Sequence, residues 1–490
     1  MNKRVSKGDS LGSRRTTTGC LTCRRRKKKC DEARPSCAAC IRNKVPCTWP
    51  DADAPHKRKP QLRRQQGYNK DFAVPYRMVG MMTVFAVPSP SLTDRLGAHF
   101  IESSPNWISS IRGHQGAEFL RRVMPSALQS QLVLECVLTV AAADLCKLGD
   151  RSKELEQLSY ECYGLAAAKL SSIIAAEEAG TIQPGNRSYS PDHILLAILI
   201  LCVHETINFS SSDRLLIHIN GAAMLLSRFL YYTPEDPDLR GFLLELFCYF
   251  YTLAASTHGS RMSLDLPLAA AILESPWLRT HANQGMLLGD SPEIFLIILR
   301  LSVLLHGKST TTNAACHGDA LDAQLSSIQL DLWRSSMEPV PPEREASSGT
   351  GSHADAGKLA SELYFWGCQI QIELSQRPGR PKEDETIQAL VSTCMAILER
   401  IPSDDPANGV LCWPLFVVGL CAVNSKHRAA ISNRLQAIYA GWRSAIPLQT
   451  SKYLTQRWKQ EKNEAVRPAS ATPTNSTTDL TTLNLPFVLV

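Results

Sequence analysis

Residues 20–47 read CLTCRRRKKKCDEARPSCAACIRNKVPC. Cys20, Cys23, Cys30, Cys37, Cys40 and Cys47 follow the spacing C-x2-C-x6-C-x6-C-x2-C-x6-C. Arg24, Arg25, Arg26, Lys27, Lys28 and Lys29 fill every position between the second and third cysteines. Thiolate is a favoured ligand of structural zinc, which takes four ligands in a tetrahedron. Two separate four-thiolate sites would need eight cysteines. Six suffice for two ions if two thiolates bridge, one from each of the two halves, which have identical internal spacing. The spacing alone leaves open which two bridge. A disulfide framework is the competing use of six cysteines, with fifteen pairings. Disulfides belong to oxidising compartments, and residues 1–15, MNKRVSKGDSLGSRR, are polar, without the apolar stretch of a signal peptide.

Charge separates the segment from the rest of the chain. Residues 1–66 hold 19 Lys and Arg against 5 Asp and Glu, a formal +14, while the whole chain carries +7. A basic head on a mildly acidic body is the footprint of nucleic-acid binding through counterion release from phosphates. The two halves are alike in cysteines but unlike in charge: between Cys40 and Cys47 only Arg42 and Lys44 are basic. The first half is therefore expected to face DNA. Import into the nucleus is an additional role for so basic a run. A second cluster, Lys57-Arg58-Lys59 with Arg63 and Arg64, would track the backbone or serve import.

Residues 20–47 resemble the Zn2Cys6 (zinc binuclear cluster) domain of fungal transcription factors. The resemblance rests on the cysteine spacing, on Cys30-Asp31-Glu32, and on Pro35 two residues before the fourth cysteine. It implies two Zn2+ ions with Cys20 and Cys37 bridging. Cys23 and Cys30 would complete one site, and Cys40 and Cys47 the other. It also implies double-stranded DNA as partner, the nucleus as location and regulation of RNA polymerase II genes. Lys27 stands fourth after the second cysteine, where the family places a lysine that reads CGG triplets, a major-groove contact to guanine O6 and N7. Lys28, Arg25 and Arg26 suit phosphates, with Arg24 and Lys29 in the same DNA-facing run.

The remaining chain is expected to be a large all-α regulatory domain over residues 91–462. Around it stand a basic leader (1–19), a proline-containing linker (48–90) and a disordered tail (463–490). The linker shows no heptad: Leu62, Phe72, Val74 and Met78 keep no a/d rhythm, and prolines oppose a continuous helix. In the body, Leu155, Leu158, Cys162 and Leu165 recur at spacings of three and four. Ser190-Pro191 reads as an N-cap followed by Pro, opening Ile194–Asn208. Leu215, Ile219, Ala222, Leu226 and Phe229 form a stripe over Asp213–Leu230. Further helices are expected over 127–148, 237–257, 292–306, 355–376, 383–402 and 425–446, with loops near 180–190, 307–318 and 341–356. His218-Ile219-Asn220-Gly221-Ala222, and Trp413-Pro414-Leu415-Phe416 followed by Gly419, resemble the fungal-specific transcription factor domain of the second type. Gly221, inside a helix, is expected where another backbone packs close, since glycine there costs ~1 kcal/mol relative to alanine.

Enzyme chemistry finds no support. Gly8-Asp9-Ser10-Leu11 spells a lipase-like motif in a basic leader with no core to position a histidine. His204-Glu205 lacks the second histidine of a zincin motif, Asn208 standing in its place. His204 and His218 read as hydrogen-bonded structural histidines. The other cysteines, including Cys136, Cys162, Cys202, Cys248 and Cys421, read as small hydrophobes. No apolar run reaches the ~18–20 residues of a membrane span, so no membrane partner is expected. The expected function is zinc-dependent DNA-binding regulation, with pairing through the helical body as a homodimer or with a transcriptional co-regulator. The alternative is a helical scaffold that the head merely localises on DNA without sequence selection.

Overall fold

The computed structural model describes residues 19–26, 28, 30–49, 90–104, 107–108, 117–149, 152–179, 189–208, 212–282, 287–289, 292–307, 317–337, 352–377, 379–442, 444–464 and 485–489. The chain divides into two compact units, Met1–Val74 and Pro75–Val490. Among the described residues there is helix and no strand. The first unit holds two short helices, α1 (Leu21–Arg25) and α2 (Ala38–Arg42). The linker stretch searched for a heptad, the basic cluster at 57–64 and the motif at 8–11 lie outside the described residues.

The second unit begins with α3 (Pro90–Ser103), α4 (Ala117–Gln129), α5 (Gln131–Lys147) and α6 (Lys153–Glu178). Its centre is α7 (Pro191–Asn208), α8 (Ser212–Phe229) and α9 (Pro237–His258). Next come α10 (Leu266–Glu274), α11 (Pro276–Ala282), α12 (Glu293–Gly307) and α13 (His317–Met337). The last group is α14 (Ser352–Gln376), α15 (Glu385–Arg400), α16 (Cys412–Cys421), α17 (Ser425–Gly441) and α18 (Ile446–Glu464). Sequential neighbours pack on one another: α5 on α6 and α7, α7 on α8, α14 on α15, and α17 on α18. The expected helix over 127–148 is cut at Ser130, whose hydroxyl caps α5 by accepting from Val133 N–H at 3.5 Å. Most of the three expected loop stretches lies outside the described residues, but residues 352–356 belong to α14.

α9 is the hub of this unit, packing against α7, α8, α11 and α12. Asp236 caps its first turn by accepting from Leu239 N–H at 3.0 Å, with Pro237 next in the chain. Because α9 is buried along its length, its polar residues need partners. Glu245 accepts from the N–H groups of Leu287 (2.7 Å) and Leu288 (3.1 Å) and pairs with His281 Nε2 at 3.0 Å. Arg240 donates to Asp192 at the start of α7 and to the Phe229 and Tyr232 carbonyls. α7 itself is long and apolar enough to cross a membrane by length and composition. Contrary to the expectation of no such run, it meets that test, yet 83% of its 18-residue apolar stretch is buried inside the body.

The α8 stripe is buried at all five expected positions, as are Leu155, Leu158 and Cys162 on α6. Leu165 is not: it is 47% exposed, and Ala166, four residues after Cys162, takes the inward position. Trp413 is fully buried, stacked on Tyr364 at 5.4 Å, and donates from Nε1 to Ser256 Oγ at 2.9 Å. Both histidines are hydrogen-bonded. His218 Nε2 meets Tyr163 OH at 3.1 Å, and His204 Nε2 meets Asn208 Nδ2 at 2.7 Å, Asn208 being the residue that breaks the zincin pattern. Burial pushes the thiols of Cys248 and Cys421 up to about 12, as befits inert core residues.

Two expectations need correcting. Part of the tail is seated: Leu485, Phe487, Val488 and Leu489 are buried in the helical body, whose burial of an apolar run outweighs the cost of ordering it. No backbone approaches Gly221. A Cβ there would meet only Ile174 Cδ1, at 4.0 Å. The close approach belongs instead to Gly241 on α9, where a Cβ would lie 2.7 Å from the Trp277 carbonyl oxygen and 2.5 Å from His281 Cβ. Gly221→Ala should therefore stabilise the body by up to about 1 kcal/mol. Gly241→Ala should destabilise it by about 1–3 kcal/mol. Thermal melts of the two variants check the opposite signs; a stability loss at Gly221 would mean that its fit is tighter than described.

Candidate metal centre and nucleic-acid interface

The head is one unit written twice. Helices of five residues are marginal on their own, and each here has one cysteine just before its first residue and another at its third. Cys20 precedes α1 and Cys23 lies within it, and Cys37 and Cys40 stand in the same relation to α2. The offset between the halves is 17 residues. A C-x2-C pair spanning the first turn puts both sulfurs on one side, and the Cys23 N–H donates to Cys20 Sγ at 3.3 Å. Each third cysteine then folds back: the Cys20 N–H donates to Cys30 Sγ at 3.5 Å, and the Cys37 N–H to Cys47 Sγ at 3.4 Å. The backbone repeats likewise, with Lys28 N–H to Cys23 O at 3.0 Å and Val45 N–H to Cys40 O at 3.1 Å.

Contacts outside the sulfurs join the halves. The Asp31 carboxylate accepts from the Ala38 N–H at the start of α2, at 3.1 and 3.2 Å. Leu21 N–H donates to Thr48 O at 2.8 Å, and Thr22 Oγ1 donates to Pro46 O at 2.8 Å. Trp49 donates from Nε1 to Pro35 O at 2.9 Å and lies under the Arg34 guanidinium at 4.8 Å. Sequence reasoning overlooked Trp49. Its only signal was an aromatic residue two positions past the last cysteine in an otherwise polar stretch.

Six sulfurs converge in two overlapping quartets, Cys20, Cys23, Cys30, Cys37 and Cys20, Cys37, Cys40, Cys47, each with its sulfurs within 4.8 Å of one another. Cys20 and Cys37 belong to both. A tetrahedral zinc with Zn–S of ~2.3 Å has sulfurs ~3.8 Å apart. The Cys20–Cys37 and Cys20–Cys40 sulfurs are 3.7 Å apart and the Cys23–Cys37 pair 3.5 Å. The donor set therefore fits zinc in both number and spacing. It does not fit disulfides, whose sulfurs would be ~2.05 Å apart, and the described cysteines are free. Among the described residues these two quartets are the groups able to hold a metal ion.

The thiols differ in their hydrogen bonding. Burial raises Cys20 and Cys37, but N–H and thiol hydrogen bonds outweigh it and hold both below the ordinary thiol value. Burial together with the neighbouring Cys37 and Cys20 thiols pushes Cys23 up to about 12, and Cys40 is raised in the same way.

Sulfur lies inside and cationic groups outside. Cys20, Cys23, Cys30, Cys37 and Cys40 are buried, while Arg25, Arg26 and Lys28 are exposed on the first half, as are Arg42 and Lys44 on the second. Lys27, Lys29 and the side chain of Arg24 lie outside the described residues.

A model of the fungal Zn(2)-Cys(6) binuclear cluster domain matches residues 18–55, and a model of the fungal specific transcription factor domain matches residues 95–466. The chain is similar to transcription factor lfc1 of Flammulina velutipes, 58% identical over 50 residues, which are 10% of this chain and 17% of that protein. It is also similar to the zinc cluster transcription factor CZF1 of Candida albicans, 51% identical over 49 residues, 10% of this chain and 13% of that one. The chain thus matches less than a fifth of the length of either relative. No solved structure matches it. With its zinc-cluster head and a helical body matched over most of the chain, it belongs to the family of fungal Zn(2)-Cys(6) transcription factors, which are DNA-binding regulators and not enzymes.

Proposed function

We propose that residues 20–47 are a binuclear zinc cluster that reads a CGG-like triplet in the major groove, within a nuclear regulator of RNA polymerase II genes. The observation that carries this reading is the pair of sulfur quartets sharing Cys20 and Cys37. In it, those two thiolates bridge two Zn2+ ions, Cys23 and Cys30 complete one site, and Cys40 and Cys47 complete the other. Zinc bound there supplies the cross-links that close the head. Six thiolates and two Zn2+ leave a formal −2, which the surrounding arginines and lysines offset before DNA arrives.

The exposed Arg25, Arg26 and Lys28 border the sulfur cluster, where guanidinium and ammonium groups suit phosphate oxygens. In this reading Lys27 donates to guanine O6 and N7, and Arg24 and Lys29 add to the phosphate grip. The helical body, residues 91–462, carries regulation and pairing, as a homodimer or with a co-regulator.

Cys20→Ala and Cys37→Ala should each abolish the fold of the head, because each removes a ligand from both sites and metal binding supplies the folding free energy. Circular dichroism and zinc content of residues 1–74 check this. A folded Cys37→Ala head holding two zinc ions would refute the bridging assignment. Lys27→Ala should relax base preference at the triplet, costing ~1–3 kcal/mol. Lys28→Ala should weaken binding to all sequences and lower the salt slope by about 1. Random-library selection and salt titration separate the two; identical behaviour would eliminate the division into base reader and phosphate clamp. Equal affinity of the unmodified protein for all sequences would instead favour a scaffold localised on DNA.

A further inference from the structure

The last described stretch of the chain, Leu485–Leu489, is held in a manner unlike the rest of the body. Leu485, Phe487, Val488 and Leu489 are 2%, 3%, 1% and 0% exposed, as deep as core helix residues, while Pro486 between them is exposed. Yet the segment is neither helix nor strand. Its carbonyl at Leu485 accepts a hydrogen bond from His258 Nε2, at 3.0 Å, at the C-terminal end of α9. The Phe487 ring meets Tyr453 of α18 edge-on at 6.2 Å, and Tyr453 in turn contacts Phe416 of α16 at 5.8 Å.

Helices satisfy their own backbone groups, so α9, α16 and α18 keep their hydrogen bonds whether or not this segment is present. The segment is held by side chains, apart from the carbonyl on His258. It could therefore leave without breaking any ladder, but it would leave an apolar groove open to water, which folded proteins rarely tolerate. The groove thus calls for an occupant, while nothing in the bonding requires the occupant to be permanent. Twenty residues, 465–484, join Glu464 to Leu485, and they include eight Ser or Thr but no aromatic residue. The apolar run at the end stands apart from them as a discrete module.

We propose that the apolar site bordered by His258 and Tyr453 is a peptide-docking site whose resident ligand is the chain's own Leu485–Leu489, held in cis and exchangeable. The chemistry that fits is a short non-helical peptide with an aromatic ring flanked by aliphatic side chains. It offers a backbone carbonyl to His258. Tethering on one chain gives the resident segment a millimolar effective concentration, so a free competitor gains access only when the tether is cut or the segment weakened.

The test uses the full chain carrying a specific protease site inside residues 465–484, folded first and then cleaved, with a fluorescent peptide of residues 482–490 as probe. The nicked chain, diluted to release its segment, should remain folded by circular dichroism and bind the probe saturably. The intact chain should bind it about 100-fold more weakly or worse. A probe carrying Phe487→Asp should not bind, and a folded full-length Phe487→Asp chain should bind the unaltered probe without cleavage. A nicked chain that keeps its segment through dilution, or that unfolds as the segment leaves, would overturn the proposal and make 485–489 a fixed part of the core. Equal binding of the probe by intact and nicked chains would also overturn it, by placing the binding elsewhere.

Discussion

Six sulfurs are gathered into two overlapping quartets, and the rest of the head follows from that constraint. Among its described residues the head has almost no conventional core: Cys20, Cys23, Cys30, Cys37 and Cys40 are buried, with Ala39, Val45, Cys47 and Trp49 packed partly against them. Two helices of five residues would not persist alone. They persist because C-x2-C places two sulfurs on one side of each first turn, and because the third cysteine of each half folds back onto a backbone N–H. Sharing of Cys20 and Cys37 between the quartets makes the halves interdependent. The same packing turns the basic side chains outward, so the fold that gathers sulfur also presents Arg25, Arg26 and Lys28 to solvent.

The body is held by a different physics. Its core runs from Leu96 to Leu489 in one continuous apolar cluster, and two buried charges of its central helix are held by specific partners. Glu245 of α9 accepts from two N–H groups and pairs with His281, and Arg240 donates to Asp192 and two carbonyls. Partners of this kind are needed because an unpaired buried charge is costly. The family match over residues 95–466 falls on this cluster of helices. A metal-held module and a hydrophobically held one thus share a chain without sharing a source of stability.

Legibility in the sequence followed the strength of the local rule. Cysteine spacing revealed the metal centre because four-coordinate geometry tolerates few alternatives. The strongly periodic α8 stripe was readable for a similar reason, with five apolar residues on one face. Leu165 misled because hydrophobicity marks only a candidate inward position, whereas α6 rotates its small Ala166 inward instead. α13 was missed although Leu321, Leu325, Ile328 and Leu332 recur at helical spacing, because the polar residues between them hid the stripe. Gly221 was assigned a close backbone contact that belongs to Gly241, since glycine in a sequence does not say which neighbour it makes room for. The seating of Leu485–Leu489 depends on His258 of α9, 227 residues from Leu485, and on Tyr453 of α18, and no local pattern announces it.

The central claim is that two metal ions share Cys20 and Cys37. 113Cd NMR of the cadmium-substituted protein tests it most directly, because scalar coupling between two cadmium nuclei passes only through a shared ligand. Two signals of four-sulfur type, coupled to each other, are expected. A single signal, or two signals without mutual coupling, would contradict the shared-thiolate cluster.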